Sequence, residues 1–204
     1  MNEYCFPESI VGPLNLESLR AMERSRIADH PYMKLDPAYV DFITDNHGGI
    51  PIKQWFNSKD GRLFRIGRYV NFGGPYTPPY QDSWEFPGRD HRMDWSHEAL
   101  ETIANIADGC AAFLVPFGIL YSRDHHPDDM GVIYSNMLCF DYKNMHGALP
   151  SVAAWINANA VTEYCRLQEQ GVNPFLEMDH SNITHPVADC FADFLRILMH
   201  EQPA

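Results

Sequence analysis

Two segments at opposite ends of the 204-residue chain each specify a short, sharply bounded helix with one apolar face, and any fold must give those two faces something to cover. In 35–49, Leu35, Tyr39, Phe42 and Ile43 fall at i, i+4, i+7 and i+8, a single stripe on an α-helix. Asp36 suits the N-cap and Pro37 the first helical position. Asn46 and Gly48-Gly49 tolerate positive φ, so the helix is predicted to stop there with one of the two glycines left-handed. His47 reads as a helix-end residue near the last carbonyls. In 187–198, Val187, Phe191, Phe194, Leu195 and Leu198 repeat the stripe. Pro186 stands at its start, and Asp189 and Asp193 fall in its first turns, where the macrodipole favours negative charge.

The intervening sequence alternates strand and turn signals. Residues 16–30 read as a further helix through Leu16, Leu19, Met22 and Ile27. Residues 51–70 read as a hairpin, with Trp55, Phe56, Leu63, Phe64, Ile66 and Tyr69 either side of Asp60-Gly61. Residues 71–94 have no period and hold Gly73-Gly74-Pro75 and Pro78-Pro79, which predicts a long loop. A helix is expected over 97–108, closed by Gly109, then a strand over 110–117 and a polar loop over 122–131. Residues 132–134 and 137–142 read as a hairpin across Ser135-Asn136. A strand is expected over 152–160. Residues 162–170 read as helix or strand, with Glu163, Arg166 and Gln170 favouring helix, and 171–186 as a loop. The fold class is therefore α+β, an antiparallel β-sheet flanked by N-terminal and C-terminal helices. With no repeat or linker, one domain is expected over 1–204, its core about 16–199, with 71–94 as an inserted loop.

Four of these segments carry a resemblance. The pattern Leu35-Asp36-Pro37-x-Tyr39-x-x-Phe42-Ile43-x-x-Asn46-x-Gly48-Gly49 resembles a helix of the SUKH superfamily, which includes the Smi/Knr cell-wall regulators. Val115-Pro116-Phe117-Gly118 is similar to that family's proline-phenylalanine strand end. Leu138-Cys139-Phe140-Asp141-Tyr142-Lys143 is similar to its central strand, and Val187-Ala188-Asp189-x-Phe191-x-Asp193-Phe194-Leu195 to its last helix. The resemblance runs in order over about 16–199, and 69–95 is longer than the family's usual hairpin region. It implies an α+β domain without enzymatic machinery. Bacterial members are mostly immunity proteins that bind a toxin domain, often a nuclease, and fungal members are regulatory scaffolds.

Charge and composition limit the alternatives. The net charge of −12 is unevenly spread: 9 acidic and 9 basic residues in 1–80, 10 and 3 in 81–130, and 8 and 3 in 131–204. An acidic later chain repels nucleic acid and anionic membranes and steers basic partners inward. At 45% hydrophobic residues the chain can bury a core. No apolar run approaches the roughly 20 residues of a membrane span. Residues 1–8 lack the basic start and apolar run of a signal peptide, so a cytoplasmic protein is expected. Cys5, Cys110, Cys139, Cys165 and Cys190 are widely spaced without a Cys-x-x-Cys pair, and read mostly as buried reduced thiols.

Candidate chemistry is sparse. His125-His126-Pro127-Asp128-Asp129 has metal-ligand residue types, but Pro127 stiffens the turn and adjacent loop residues diverge, so no metal and no cofactor is expected. The 90–97 segment, with Asp90, His91, Asp94 and His97, has acid–base types but reads as a loop entering a helix capped by Ser96. Gly-x-Ser-x-Gly, P-loop and Gly-x-Gly-x-x-Gly patterns are absent. What remains is a protein-binding surface in which aromatic anchors sit among acids: Asp82, Trp84, Glu85, Asp90, Asp94 and Trp95 in one loop, with Asp124, Asp128 and Asp129 in the other. The leading expectation is a non-enzymatic immunity protein occluding a basic toxin domain. A regulatory scaffold and a small metal-assisted hydrolase are the alternatives, and the oligomeric state is left open.

Overall fold

In a computed structural model of the chain, the structure describes residues 3–10, 14, 16–17, 19–20, 34–70, 113–121, 136–173, 177–178 and 183–201. Helix α1 spans Pro37–Asn46. Its start follows the sequence: the Asp36 carboxylate accepts the Ala38 N–H at 2.8 Å, and Pro37 needs no partner for an amide hydrogen. Tyr39, Phe42, Ile43 and Asn46 are buried, while Asp41, Thr44 and Asp45 are exposed. The helix stops at His47, and Gly48 takes the left-handed conformation with φ 64°. Gly49 serves close approach instead, since a Cβ there would lie 3.0 Å from Cys5 Sγ and 3.1 Å from the Asn46 carbonyl. Of the helix expected at 16–30, Leu16, Glu17, Leu19 and Arg20 are described and helical; Leu19 is buried, but Leu16 is exposed and off the inner face.

Six strands form one antiparallel sheet in chain order: β1 (Trp55–Asn57), β2 (Leu63–Tyr69), β3 (Leu114–Tyr121), β4 (Asn136–His146), β5 (Leu149–Ile156) and β6 (Thr184–Ala188). The α+β class and the Asp60-Gly61 hairpin stand, with Gly61 at φ 86°. Other boundaries are corrected. The strand expected over 110–117 runs on to Tyr121, because the ladder absorbs Pro116 and Gly118 in an irregularity rather than breaking there. Asn136 is no turn residue: it opens β4 and pairs with Ile156. The turn that does follow β4 lies at Gly147, φ 65°. Within β4, a bulge at 141–145 frees backbone amides, and the Asp141 carboxylate accepts those of Lys143 at 2.9 Å and Asn144 at 3.3 Å.

The chain beyond β5 departs most from expectation. The strand read over 152–160 ends at Ile156, where the β4 ladder runs out, and helix α2 (Asn157–Glu169) follows, burying Ala160 and Leu167. Residues 184–188, read as loop and helix start, form β6 along the open edge of β5. Pro186 is tolerated there because an edge strand can omit a ladder donor. Helix α3 is therefore only Phe191–Ile197. Val187 is a buried strand residue, and Asp189 precedes the helix, facing Lys59 and His146.

The sheet curls until its edges nearly meet. Lys59, in the β1–β2 turn, donates its N–H to the Pro186 carbonyl of β6 at 2.7 Å. Trp55 of β1 and Met199, just past α3, exchange backbone hydrogen bonds of 3.1 and 2.8 Å. The stretch from β6 through α3 thus ties one edge to the other. Helices α1 and α3 pack together over the inner face, with Tyr39 at the centre: its ring lies 5.4 Å from Phe117, 5.0 Å from Phe140 and 5.1 Å from Phe191. Offset edge-to-face rings at such distances add about 0.5–1.5 kcal/mol per pair beyond burial. Cys5 and Cys139 are buried as expected, but Cys165 is exposed on α2 and Cys190 only half-buried. Among the described residues no helix is long and apolar enough to cross a membrane.

Candidate functional site

All nine residues expected to bind a partner, Asp82, Trp84, Glu85, Asp90, Asp94, Trp95, Asp124, Asp128 and Asp129, lie outside the described residues, as does the whole His125–Asp129 cluster. Among the described residues no group of three or more His, Cys, Asp or Glu side chains is placed to hold a metal ion.

The described surface does hold a groove where the N-terminal segment crosses α1 and α3. It comprises two adjoining clefts of about 420 and 620 Å³ that share Glu3, Tyr4, Ala38 and Leu195. Its position follows from local chemistry. Residues 3–6 are held by a bridge between Cys5 and Pro51 and by Phe6 N–H on the Ile50 carbonyl at 3.0 Å. That places the Tyr4 ring edge-on to Phe42 at 5.5 Å, and Phe42 in turn lies 4.8 Å from Tyr69. Tyr4 stays 41% exposed, so its ring is a wall of the groove rather than core. One end is rimmed by Asp41 and Asp45; the other meets Lys53 and Arg196, with Glu3 shared by both clefts, and Arg196 is bonded to Asp193 at 2.6 Å.

The thiol and phenols beside this groove are shifted away from ionisation. Burial pushes the Cys5 thiol up to about 12 against the smaller opposing pull of Arg68, so it is no thiolate at neutral pH. Burial likewise raises the Tyr69 and Tyr39 phenols well above 10, and neither hydroxyl has a hydrogen-bond partner. Partial burial and the Glu3 carboxylate raise Tyr4 as well.

A second cluster has the residue types of a hydrolase but the wrong order. Ser58 Oγ donates to Asp60 Oδ1, and Asp60 Oδ2 meets His185 Nδ1 at 2.7 Å. In nucleophilic catalysis the hydroxyl must bond to histidine, with the carboxylate behind the ring. Here the carboxylate sits between the two, and His185 Nε2 is buried without a partner. The cluster's work is closure: beside it Lys59 pairs with Asp189, which also lies 3.2 Å from His146 Nε2.

The four segments whose motifs stand out in the sequence converge. Tyr39 comes from the first, Phe117 from the second, Phe140 from the third and Phe191 from the fourth; Phe117 and Phe140 stack at 4.3 Å, and Phe191 lies 5.6 Å from Phe117. No protein-family model, curated protein or solved structure matches the chain. Sequence reasoning singled out neither Tyr4 nor Lys53. Each reaches the groove through a long-range crossing, Cys5 on Pro51, that leaves no local pattern. Asp41 and Asp45 lie on the exposed face of α1.

Proposed function

We propose that the chain is a non-enzymatic protein-binding domain of the SUKH type, an immunity protein that neutralises a cognate toxin in the cytoplasm. The observation that supports it best is the single ring cluster fed by all four motif segments: order, spacing and packing agree on one architecture. Several of the described ionisable groups serve the structure. Asp36 caps helices, Asp60 and His185 close the sheet, and Asp141 fills a bulge. The partner class that fits the charge is a basic domain such as a nuclease, whose cationic nucleic-acid groove the acidic later chain would occlude. The test is to express any basic toxin domain found encoded beside this gene with and without the chain. Inhibition saturating at a one-to-one ratio and lost in high salt supports the proposal. Protection at sub-stoichiometric ratios, or turnover of any toxin substrate by the chain itself, refutes it.

A further inference from the structure

Resting on that protein-binding reading, we propose that the groove between residues 3–4 and helices α1 and α3 is a docking site for a basic amphipathic segment of the partner. A bulky apolar side chain enters between Tyr4, Phe42 and Leu195, and a neighbouring lysine or arginine lies against Asp41 and Glu3. Three observations carry this. The floor is apolar and already assembled, its rings fixed by edge-to-face contacts at 5.5 and 4.8 Å, so little ordering is needed on binding. Tyr4 is one of only three large hydrophobics more than a third exposed among the described residues, and an aromatic half in solvent is a typical anchor. The rim charges are unevenly placed: Asp41 and Asp45 lie at one end with Glu3 between the two clefts, while Lys53 and Arg196 lie at the other, Arg196 already bonded to Asp193. Negative charge at the first end selects a cation next to the apolar anchor and disfavours an acidic segment by like-charge repulsion. Glu3, Asp41 and Asp45 come from residues 1–80, whose total charge is zero, so this acidity is local.

The probe is a short fluorescein-labelled peptide of leucine and lysine in amphipathic helical order, set against the same peptide with glutamate for every lysine. At low salt the lysine peptide should bind and shift amide resonances of Tyr4, Ala38, Asp41 and Leu195; the glutamate peptide should not. Asp41→Lys, on an exposed position that cannot disturb the core, should weaken binding about tenfold. Leu195→Glu should abolish it. Glu169→Lys, an exposed charge reversal on α2, should have no more than the small effect of altered net charge. Equal loss from Asp41→Lys and Glu169→Lys, or equal binding of both peptides, would overturn the proposal. So would undiminished neutralisation of the toxin domain by the Asp41→Lys, Leu195→Glu double variant, and in that case the immunity reading would stand without the groove. Conversely, groove-specific peptide binding by a chain that inhibits no toxin would leave the groove standing and remove the immunity reading.

Discussion

The Asp36 carboxylate accepts the backbone N–H of Phe191 at 2.9 Å, joining the starts of two helices that lie 155 positions apart in sequence. Its other oxygen caps Ala38 at 2.8 Å. One buried side chain therefore satisfies an orphan donor on α1 and another on α3, and α3 has no capping side chain of its own. Asp36→Ala removes a cap and leaves the Phe191 N–H buried and unpaired. The expected loss is about 2–4 kcal/mol, measured by urea unfolding. Asp36→Asn keeps one acceptor oxygen and should fall between. A variant as stable as the parent would show that the two helix starts find other partners.

The rings behind that bond set a second expectation. Phe42 lies 5.2 Å from Phe191 and is 7% exposed, whereas Asp41, one residue away, is exposed. Phe42→Ala should cost roughly 3–5 kcal/mol, and Asp41→Ala less than about 0.5 kcal/mol. Equal thermal shifts would contradict the assigned face.

The turn after α1 separates two roles of glycine. Gly48 has φ 64°, so alanine there is strained by its backbone. At Gly49 an added Cβ meets Cys5 Cβ and Sγ at 3.0 Å, and Cβ, fixed to the backbone, cannot swing away. Each Ala substitution should cost about 1 kcal/mol or more. Relief of only the Gly49→Ala defect by Cys5→Gly, scored as a double-mutant cycle, would distinguish the causes; relief of both would refute the distinction.

How much of this was readable in advance depended on whether the cause was local. Helix α1 was legible because Asp36, Pro37 and Gly48 act within a few residues of their own positions. Strand β6 was not, because Val187, Phe191, Phe194 and Leu198 do fit a helical stripe. What overrides it is the unpaired edge of β5, which takes Thr184–Ala188 into the ladder. Asn136 was misread for a similar reason: its turn propensity is outweighed by pairing with Ile156. The groove needed Tyr4 to be carried onto Phe42 by the crossing of Cys5 on Pro51, far along the chain, for which no periodicity exists. The loops that the sequence marks as acidic and aromatic lie outside the described residues.

Acid should open the sheet closure. Burial pushes the Asp60 carboxyl up, but the hydrogen bonds from Ser58 and His185 outweigh it and hold its pKa below the ordinary 3.8. Asp189 is held low as well, first by its bond to Lys59. A depressed folded-state pKa means stability that is present above the unfolded-state value and lost as pH falls through the folded-state one. The side-chain part of the closure should therefore be intact at neutral pH and weaken as pH falls below about 4, while the backbone bonds to Pro186 and Met199 do not titrate. Between neutral pH and about pH 3, Asp60→Asn should lose less stability than the parent, because the titrating group is gone. Identical pH profiles for the two proteins would remove Asp60 from the closure.

The final prediction separates the acidic 81–130 segment from the groove. Residues 81–130 carry 10 acidic and 3 basic residues, a density that acts at a distance before contact forms. Reversing Asp82, Asp90, Asp128 and Asp129 to lysine should slow association with a basic partner more than it speeds dissociation, since rim charges act mainly on encounter. The effect should shrink as salt rises and the Debye length falls to about 8 Å. Leu195→Ala in the groove should do the reverse, speeding dissociation with little change in the salt slope, because it removes apolar contact without adding charge and acts after docking. Stopped-flow kinetics of both variants against the same toxin domain measures the two effects. An unchanged association rate for the quadruple variant at low salt would eliminate steering by that segment, and a groove variant altered only in association would eliminate the anchor.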